Sequence, residues 1–217
     1  MTQKTVLLAT AALLLGVFVA ATLLHQRDRA AANLRLAAQH GAHLIQPHSP
    51  RLGPDDAPVT IVEFFDPACV TCQAFYEPMK ELLAQHPGKL RLVLRYAPFQ
   101  VGAEHIVALL EAARLQDKFW PVLDVLMETQ EVWKPQHEAD FALAWKQLGG
   151  LGLDLERLRR DMNDPEITRR INVDLEDAAR LNVDATPTFY VNGRPLPGFG
   201  FNVLKRSVEA TLRQGGG

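Results

Sequence analysis

The sequence predicts an α/β domain that begins with a strand–helix–strand unit and ends with a β-hairpin followed by a helix. Two observations support this prediction. A β-branched and aromatic run over residues 58–65 leads into a helix-spaced apolar pattern and then into an alternating strand over residues 90–96. An Asn-Gly pair at 192–193, between two short apolar runs, predicts the hairpin. The chain of 217 residues, 47% hydrophobic and 22% charged, has the composition of a globular protein.

An uncharged apolar segment near the amino terminus predicts an association with a membrane. Residues 6–24 contain no charged side chain, and about 20 apolar residues suffice for a helix to cross a bilayer. We interpret residues 1–25 as a retained signal-anchor, or as a signal peptide that is cleaved after Ala21. Residues 26–57 end in a Pro- and Gly-rich stretch and are interpreted as a tether, so that residues 58–217 form the folded domain.

The elements of the folded domain follow from the spacing of its apolar residues. The segment PVTIVEFF is nearly continuous in apolar side chains, which is typical of a strand that is covered on both faces. A helical spacing comes next, whereas LRLVLRY alternates with the period of two that a strand requires. Helical patterns continue over about 103–181 and include a start signal at Asp164-Pro165. The hairpin over 188–196 and a final apolar stripe over 204–212 complete the domain.

Charge and cysteine content exclude several classes of function. The formal net charge is -2 and no long run of Lys or Arg occurs, so nucleic acid is not an expected partner. The two cysteines, Cys69 and Cys72, are too few for a disulfide-stapled scaffold or a four-cysteine zinc site. The sequence also lacks the motifs of nucleotide-binding proteins, serine hydrolases and zinc proteases.

The cysteines form a C-x-x-C motif at the predicted start of a helix, and this position has a chemical consequence. Unpaired backbone N–H groups and the positive end of the helix dipole favour a thiolate at Cys69, so its pKa should lie well below the usual value of about 8.5. Cys72 follows one turn later, where it can form a disulfide with Cys69. A thiolate that is stabilised in this way is a good leaving group, which favours donation of the disulfide.

Two segments together resemble the DsbA-type branch of the thioredoxin superfamily. They are IVEFFDPACVTCQAFYEPM around the cysteines and ATPTFYVNG far downstream, and the resemblance extends over about 58–213. It implies a thioredoxin fold whose βαβ and ββα halves are separated by the helical insertion at about 103–181. It also implies that no cofactor is needed, because the cysteine pair is itself the redox group. We assign no metal ligand.

The resemblance gives roles to individual residues. It makes Cys69 the solvent-exposed attacking cysteine and Cys72 the buried resolving cysteine. Thr186 and a cis Pro187 are expected to face the cysteines and to bind the main chain of an extended client protein. The expected partners are therefore exported cysteine-containing proteins and a membrane-embedded thiol partner that resets the cysteine pair.

An acidic residue precedes the motif in the first predicted strand. Glu63 stands six residues before Cys69, where similar proteins carry an acid beneath the second cysteine. Burial in an otherwise apolar strand would raise its pKa, and the carboxyl group could then relay the proton of Cys72. The alternative is a solvated glutamate at the edge of the sheet. Asp66 and Pro67 are expected to shape the loop that leads to the cysteines.

The dipeptide between the cysteines leaves the direction of electron flow open. Strongly oxidising relatives have a histidine there, whereas this chain has Val70-Thr71. Both a disulfide donor and a reductant are therefore consistent with the motif.

Two other interpretations of the cysteine pair are a static disulfide and a metal site. A static disulfide would close too short a loop to stabilise the fold appreciably. A copper-binding or copper-delivery protein could use the same thiolates with histidines of the tether region, which are His25, His40, His43 and His48. These histidines lack a ligand spacing. We therefore predict an enzyme, an extracytoplasmic thiol-disulfide oxidoreductase on the periplasmic side of the inner membrane.

Overall fold

The computed structural model describes residues 41, 43–135 and 138–215. Within them lies a five-stranded mixed sheet with helices packed against it. The strands are β1 (Arg51–Leu52), β2 (Val59–Phe65), β3 (Leu90–Tyr96), β4 (Thr188–Val191) and β5 (Arg194–Pro195). The helices are α1 (Val70–Gln85), α2 (Ala103–Arg114), α3 (Phe119–Glu128), α4 (Gln130–Trp133), α5 (Phe141–Lys146), α6 (Leu155–Asp161), α7 (Pro165–Arg180) and α8 (Phe201–Gly215).

The strand order places β2 at the centre of the sheet. The order is β1–β3–β2–β4–β5, in which β2 and β3 are parallel and every other neighbouring pair is antiparallel. The predicted strand–helix–strand unit is β2–α1–β3, and the predicted hairpin and closing helix are β4–β5–α8. Helices α2 to α7 lie between these halves in the chain, as the predicted insertion requires. The carboxyl end of β2 therefore leads directly into the loop that carries the cysteines.

The central strand is covered on both faces, which explains its nearly continuous apolar sequence. On one face Ile61 and Phe65 belong to the main core, together with side chains of α1 and α8. On the other face Val62 and Phe64 belong to a smaller core with the last turns of α7. Because side chains alternate along a strand, Glu63 shares the face of the main core and of α1.

Two local predictions are confirmed. Helix α7 begins at Pro165, and the carboxylate of Asp164 accepts a hydrogen bond from the N–H of Glu166 at 2.8 Å. Asn192 and Gly193 have φ values of 45° and 78°, the positive angles that a type I′ hairpin turn requires.

Residues 43–57 differ from the predicted tether because they pack against the folded domain. Strand β1 pairs with β3, and Leu44 is buried in the smaller core. Two histidines of this segment bind aspartates of α7. Its prolines and glycine exclude long regular elements, but a two-residue strand and side-chain hydrogen bonds need no sequence period.

The predicted membrane or signal helix over 6–24 and the first part of the tether lie outside the described residues. Within residues 41, 43–135 and 138–215, no helix is both long and apolar enough to span a bilayer.

Candidate active site

Cys69 ends the loop after β2 and is the N-cap residue of α1, with φ -80° and ψ 123°. Cys69 is 8% exposed and Cys72 is 1% exposed, and both are free thiols. The resemblance implies a solvent-exposed Cys69, but the thiol donates a hydrogen bond to the main-chain carbonyl of Thr186, with 3.2 Å between sulfur and oxygen. This neighbour covers one side of the sulfur, so less of it reaches solvent than expected.

Several hydrogen-bond donors favour the ionised form of Cys69. They lower its pKa from 9.0 to about 5, and the largest contribution comes from the thiol of Cys72. The side chain of Thr186 and the backbone N–H groups of Cys72 and Thr71 add to this effect, while burial opposes it. The predicted backbone donors therefore take part, but the neighbouring thiol contributes more than they do. With a pKa of about 5 the side chain of Cys69 is ionised at pH 7, and the hydrogen bond to the Thr186 carbonyl belongs to its protonated form.

The pKa of Cys72 is shifted in the opposite direction. Its pKa is raised well above 9.0, mainly by burial, and further by the hydrogen bond to Cys69 and the charge of Glu63. The pair therefore holds one ionised and one protonated sulfur at neutral pH. This difference allows the two sulfurs to act in sequence.

Glu63 is buried in the centre of the sheet. Strand pairing places it between Leu94 of β3 and Phe189 of β4, and it is 6% exposed, so it is not the solvated edge residue of the alternative interpretation. Burial raises its pKa to about 8, with the charge of Cys69 as a second cause. At neutral pH the carboxyl group is therefore mostly protonated and can give or take a proton close to pH 8.

The loop before β4 meets the cysteines because β4 runs antiparallel to β2. The start of β4 pairs with the end of β2, and the peptide bond between Thr186 and Pro187 is cis. Pro187 is buried and Thr186 is half-buried against the sulfur. The same end of β2 and β4 thus holds the predicted site residues, which are Cys69, Cys72, Glu63, Thr186 and Pro187.

Asp66 connects the cysteine loop to the loop after β3. Its carboxylate is fully buried and accepts hydrogen bonds from the N–H groups of Ala68 and Gln100, both at 2.8 Å. Burial raises its pKa to about 6 even though these bonds oppose the shift. The loop-shaping role expected for Asp66 therefore includes a contact to Gln100, which no local sequence pattern indicates.

One polar residue of the site was not predicted from the sequence. Gln130, at the start of α4, donates hydrogen bonds from its side-chain amide to the carbonyl groups of Pro67 and Cys69. Glutamine is mostly exposed in folded proteins, and the surrounding residues give no period that distinguishes this one.

Aromatic side chains form the surface beside Pro187. Phe75 of α1 stacks on Phe189 and on Phe199, with ring centroids 6.0 Å and 5.9 Å apart. Phe199 is 71% exposed, and a pocket of about 140 Å³ lies between it and Pro187. The surface next to the cis peptide bond is therefore apolar.

The histidines that the copper interpretation would use have other partners where they are described. His43 Nδ1 lies 2.7 Å from Asp177, and His48 Nε2 lies 2.7 Å from Asp174. The other two histidines of the tether region lie outside the described residues. In the part of the chain that the structure describes, no group of three or more His, Cys, Asp or Glu side chains could hold a metal ion.

Comparisons with known proteins agree with this geometry. A family profile described as thioredoxin matches residues 46–199. The probable disulfide bond formation protein D of Bacillus anthracis is 28% identical over 174 residues, which cover 75% of this chain and 78% of that protein. A crystal structure of a thioredoxin-like oxidoreductase from Silicibacter pomeroyi DSS-3 is 29% identical with a TM-score of 0.66, and the match covers 78% of this chain and 94% of that one.

Other relatives are much longer than this chain. The Na(+)/H(+) antiporter NhaA of Herminiimonas arsenicoxydans is 35% identical over 160 residues, which are 74% of this chain but 24% of the antiporter. The chain spans about a quarter of the length of the antiporters that it matches.

The fold, the C-x-x-C motif at a helix start and the cis Thr186–Pro187 bond agree with the profile match over most of the chain. The resemblance to DsbA-type proteins that the sequence predicts is thereby confirmed. This chain belongs to the thioredoxin family.

Proposed function

We propose that this protein is a thiol-disulfide oxidoreductase that exchanges disulfides with exported proteins through Cys69 and Cys72. The observation that carries the proposal is the difference between the two thiols, because the pKa of Cys69 is about 5 and that of Cys72 lies well above 9.0. A purely structural disulfide does not require such a difference. Exchange does, since one sulfur must attack or leave as a thiolate while the other holds its proton.

Oxidation of a client proceeds through two thiol-disulfide exchange steps. A client thiolate attacks the sulfur of Cys69 in the oxidised protein, the bond between Cys69 and Cys72 breaks, and Cys72 leaves as a thiolate that takes up a proton. A second client thiolate then attacks the client sulfur of this mixed disulfide and releases the Cys69 thiolate. The client loses two electrons and gains a disulfide, and the cysteine pair gains the two electrons.

Glu63 is assigned the proton transfer at Cys72. Its carboxyl group lies on the same face of the sheet as α1 and is mostly protonated at pH 7, because its pKa is about 8. It can therefore give a proton to the leaving Cys72 thiolate, and it can take the proton back in the reverse reaction. When ionised, Glu63 raises the pKa of Cys72, and this interaction between the two groups supports the assignment.

Donation of the disulfide is the direction that the site favours. A Cys69 pKa of about 5 stabilises the reduced form at pH 7 by about 100-fold relative to a thiol that stays protonated at pH 7, or about 60 mV for a two-electron couple. Val70 and Thr71 add no positive charge between the cysteines. The hydrogen bonds from Cys72 and Thr186 supply this stabilisation in place of the histidine of strongly oxidising relatives.

Clients are proposed to bind as extended segments along Thr186 and Pro187. The apolar surface beside Pro187 suits unfolded chains, which expose apolar side chains. A membrane-embedded thiol partner would reoxidise the cysteine pair. Residues 6–24 would hold the protein on the periplasmic side of the inner membrane, or the protein would be released there after cleavage.

Disulfide exchange with a model client tests the function. The oxidised protein should oxidise reduced, unfolded ribonuclease A, and the reduced protein should reduce insulin, whereas Cys69→Ser should do neither. Cys72→Ser should accumulate a mixed disulfide with the client, visible on a non-reducing gel. Thr71→Ser is the matched control, because it changes the dipeptide but keeps both cysteines. Exchange by Cys69→Ser at the unmodified rate would overturn the proposal.

Equilibration with glutathione tests the direction. A reduction potential near about -120 mV would identify a disulfide donor, and one near about -270 mV would identify a reductant.

Labelling in cells tests the location. A membrane-impermeant maleimide added to spheroplasts should modify Cys69 in the Cys72→Ser variant and should leave the double cysteine variant unmodified. Labelling only after lysis would contradict an extracytoplasmic location. Retention of the protein in alkali-washed membranes would show that residues 6–24 act as an anchor.

A further inference from the structure

The turn before Cys69 is held by a side chain from the helical insertion. Gln130 is the first residue of α4 and is 3% exposed. Its amide nitrogen Nε2 donates one hydrogen bond to the carbonyl oxygen of Pro67 at 2.8 Å and a second to that of Cys69 at 3.2 Å. A glutamine amide carries two N–H donors, so both are used on the loop that carries the attacking cysteine.

Other polar groups of this turn are bonded within the loop and the helix. The N–H of Cys69 donates to the carbonyl of Asp66 at 3.0 Å, and the N–H of Ala68 donates to the Asp66 carboxylate. The carbonyl of Cys69 also accepts the first helical hydrogen bond, from the N–H of Gln73 at 3.1 Å. Gln130 therefore connects this turn to the helical insertion, and it binds the backbone of Cys69 itself.

We propose that Gln130 is a positioning residue for disulfide exchange, which holds the turn so that the N–H groups of Thr71 and Cys72 remain directed at the sulfur of Cys69. This inference rests on the proposed function, because it concerns the same sulfur.

The Gln130 amide favours the thiolate of Cys69 through two effects. A hydrogen bond to a buried carbonyl restricts the turn, and without it the first turn of α1 can move away from the geometry in which its N–H groups meet the sulfur. The amide also places partial positive charge beside the backbone of the residue that carries the thiolate, because it binds the carbonyl oxygen of Cys69. Removal of the amide should therefore disfavour the thiolate of Cys69 through both effects.

Removal of the amide alone is the test. Gln130→Met keeps an unbranched side chain of similar length but has no donor, and Gln130→Leu is a second variant of similar volume. Gln147→Leu is the matched control, since the Gln147 amide donates to the carbonyl of Leu143 within α5 and not to the cysteine loop. All variants are made in the full chain, and their folding is compared by circular dichroism.

The readouts are specific to the sulfur. The pKa of Cys69 is measured from thiolate absorbance near 240 nm, and the equilibrium with glutathione is measured by alkylation of the reduced fraction. In Gln130→Met we expect the pKa to rise by about one unit and the equilibrium constant for reduction to fall about tenfold, or about 30 mV. Gln147→Leu should leave both quantities at the values of the unmodified protein.

The outcomes separate this inference from the proposed function. If the unmodified protein exchanges disulfides and folded Gln130 variants keep its pKa and its equilibrium constant, the positioning role is refuted and the function stands. If both variants fail to fold, Gln130 is a structural residue and the inference is likewise refuted. If the unmodified protein exchanges no disulfide, the proposed function itself fails.

Discussion

The Cys69 thiolate makes the stability of the reduced protein depend on pH in a calculable way. Its pKa is about 5 in the folded protein and about 8.5 in an unfolded chain. Because the folded value is the lower one, the contribution to stability is complete above the unfolded pKa and is lost as the pH falls through 5. At pH 7, which is about two pH units above the folded pKa and below the unfolded pKa, the side chain is ionised only in the folded protein. This ionisation stabilises the folded protein by about 3 kcal/mol. At pH 4 the contribution is close to zero.

Denaturation of the reduced protein at the two pH values measures this contribution. The free energy of unfolding is obtained by urea titration at pH 7 and pH 4, for the unmodified protein and for Cys69→Ser. Glu63 and Asp66 also titrate in this range and are present in both proteins, so the part of their titration that burial causes cancels in the difference. The smaller part that the Cys69 charge causes is lost together with the thiolate. That difference should shrink by about 3 kcal/mol between pH 7 and pH 4.

A pH-independent difference would refute the reasoning. A thiolate absorbance that rises with a midpoint near pH 8 would also refute it, since the neighbours of the sulfur would then not stabilise the thiolate. The same measurement on the oxidised protein provides an internal check, because a disulfide has no thiolate and should show no corresponding loss.

Two further predictions concern buried charge. In Glu63→Gln the mixed disulfide should last about 10²-fold longer, because proton transfer is lost. Since the folded pKa of Glu63 is about 8, above its unfolded value, its burial costs stability as the pH rises. In urea titrations, the free energy of unfolding of Glu63→Gln relative to the unmodified protein should therefore rise by about 3 kcal/mol from pH 4 to pH 7. The absence of such a rise would contradict the burial argument. Arg95 is fully buried and bonds Asp174 and Asp177. Arg95→Met should cost about 3–5 kcal/mol, because the buried carboxylates of Asp174 and Asp177 lose a buried cation and Asp177 keeps only the more exposed Arg180 of its arginine partners. Arg169→Met, which breaks an exposed pair, should change the urea midpoint little, and an equal loss in both variants would contradict the distinction.

The backbone order of the domain could be predicted because its signals are local. A strand, a helix start and a hairpin turn each depend on residues within a few positions, as Asp164 and the Asn192-Gly193 pair show. The position of the cysteines at the start of α1 follows from the same local patterns. The resemblance then connected this motif to Thr186 and Pro187, more than a hundred residues downstream.

Residues 43–57 of the predicted tether pack against the folded domain. Residues 43–57 contain no apolar period, yet β1 and Leu44 dock against β3 and the smaller core. A short segment of this kind is ordered by the surface that receives it rather than by its own pattern.

The sequence by itself determined the elements, the position of the cysteine pair at a helix start and the sign of the pKa shift at Cys69. Only the tertiary structure decided which groups produce that shift and which residues surround the sulfur. Thr186 is 117 positions from Cys69 and Gln130 is 61 positions from it, and both bond it directly. Burial of Glu63 likewise depends on strands from three parts of the chain. Helix and strand periods repeat over a few residues, whereas desolvation and hydrogen bonding act on whichever groups the folded chain brings within a few ångströms.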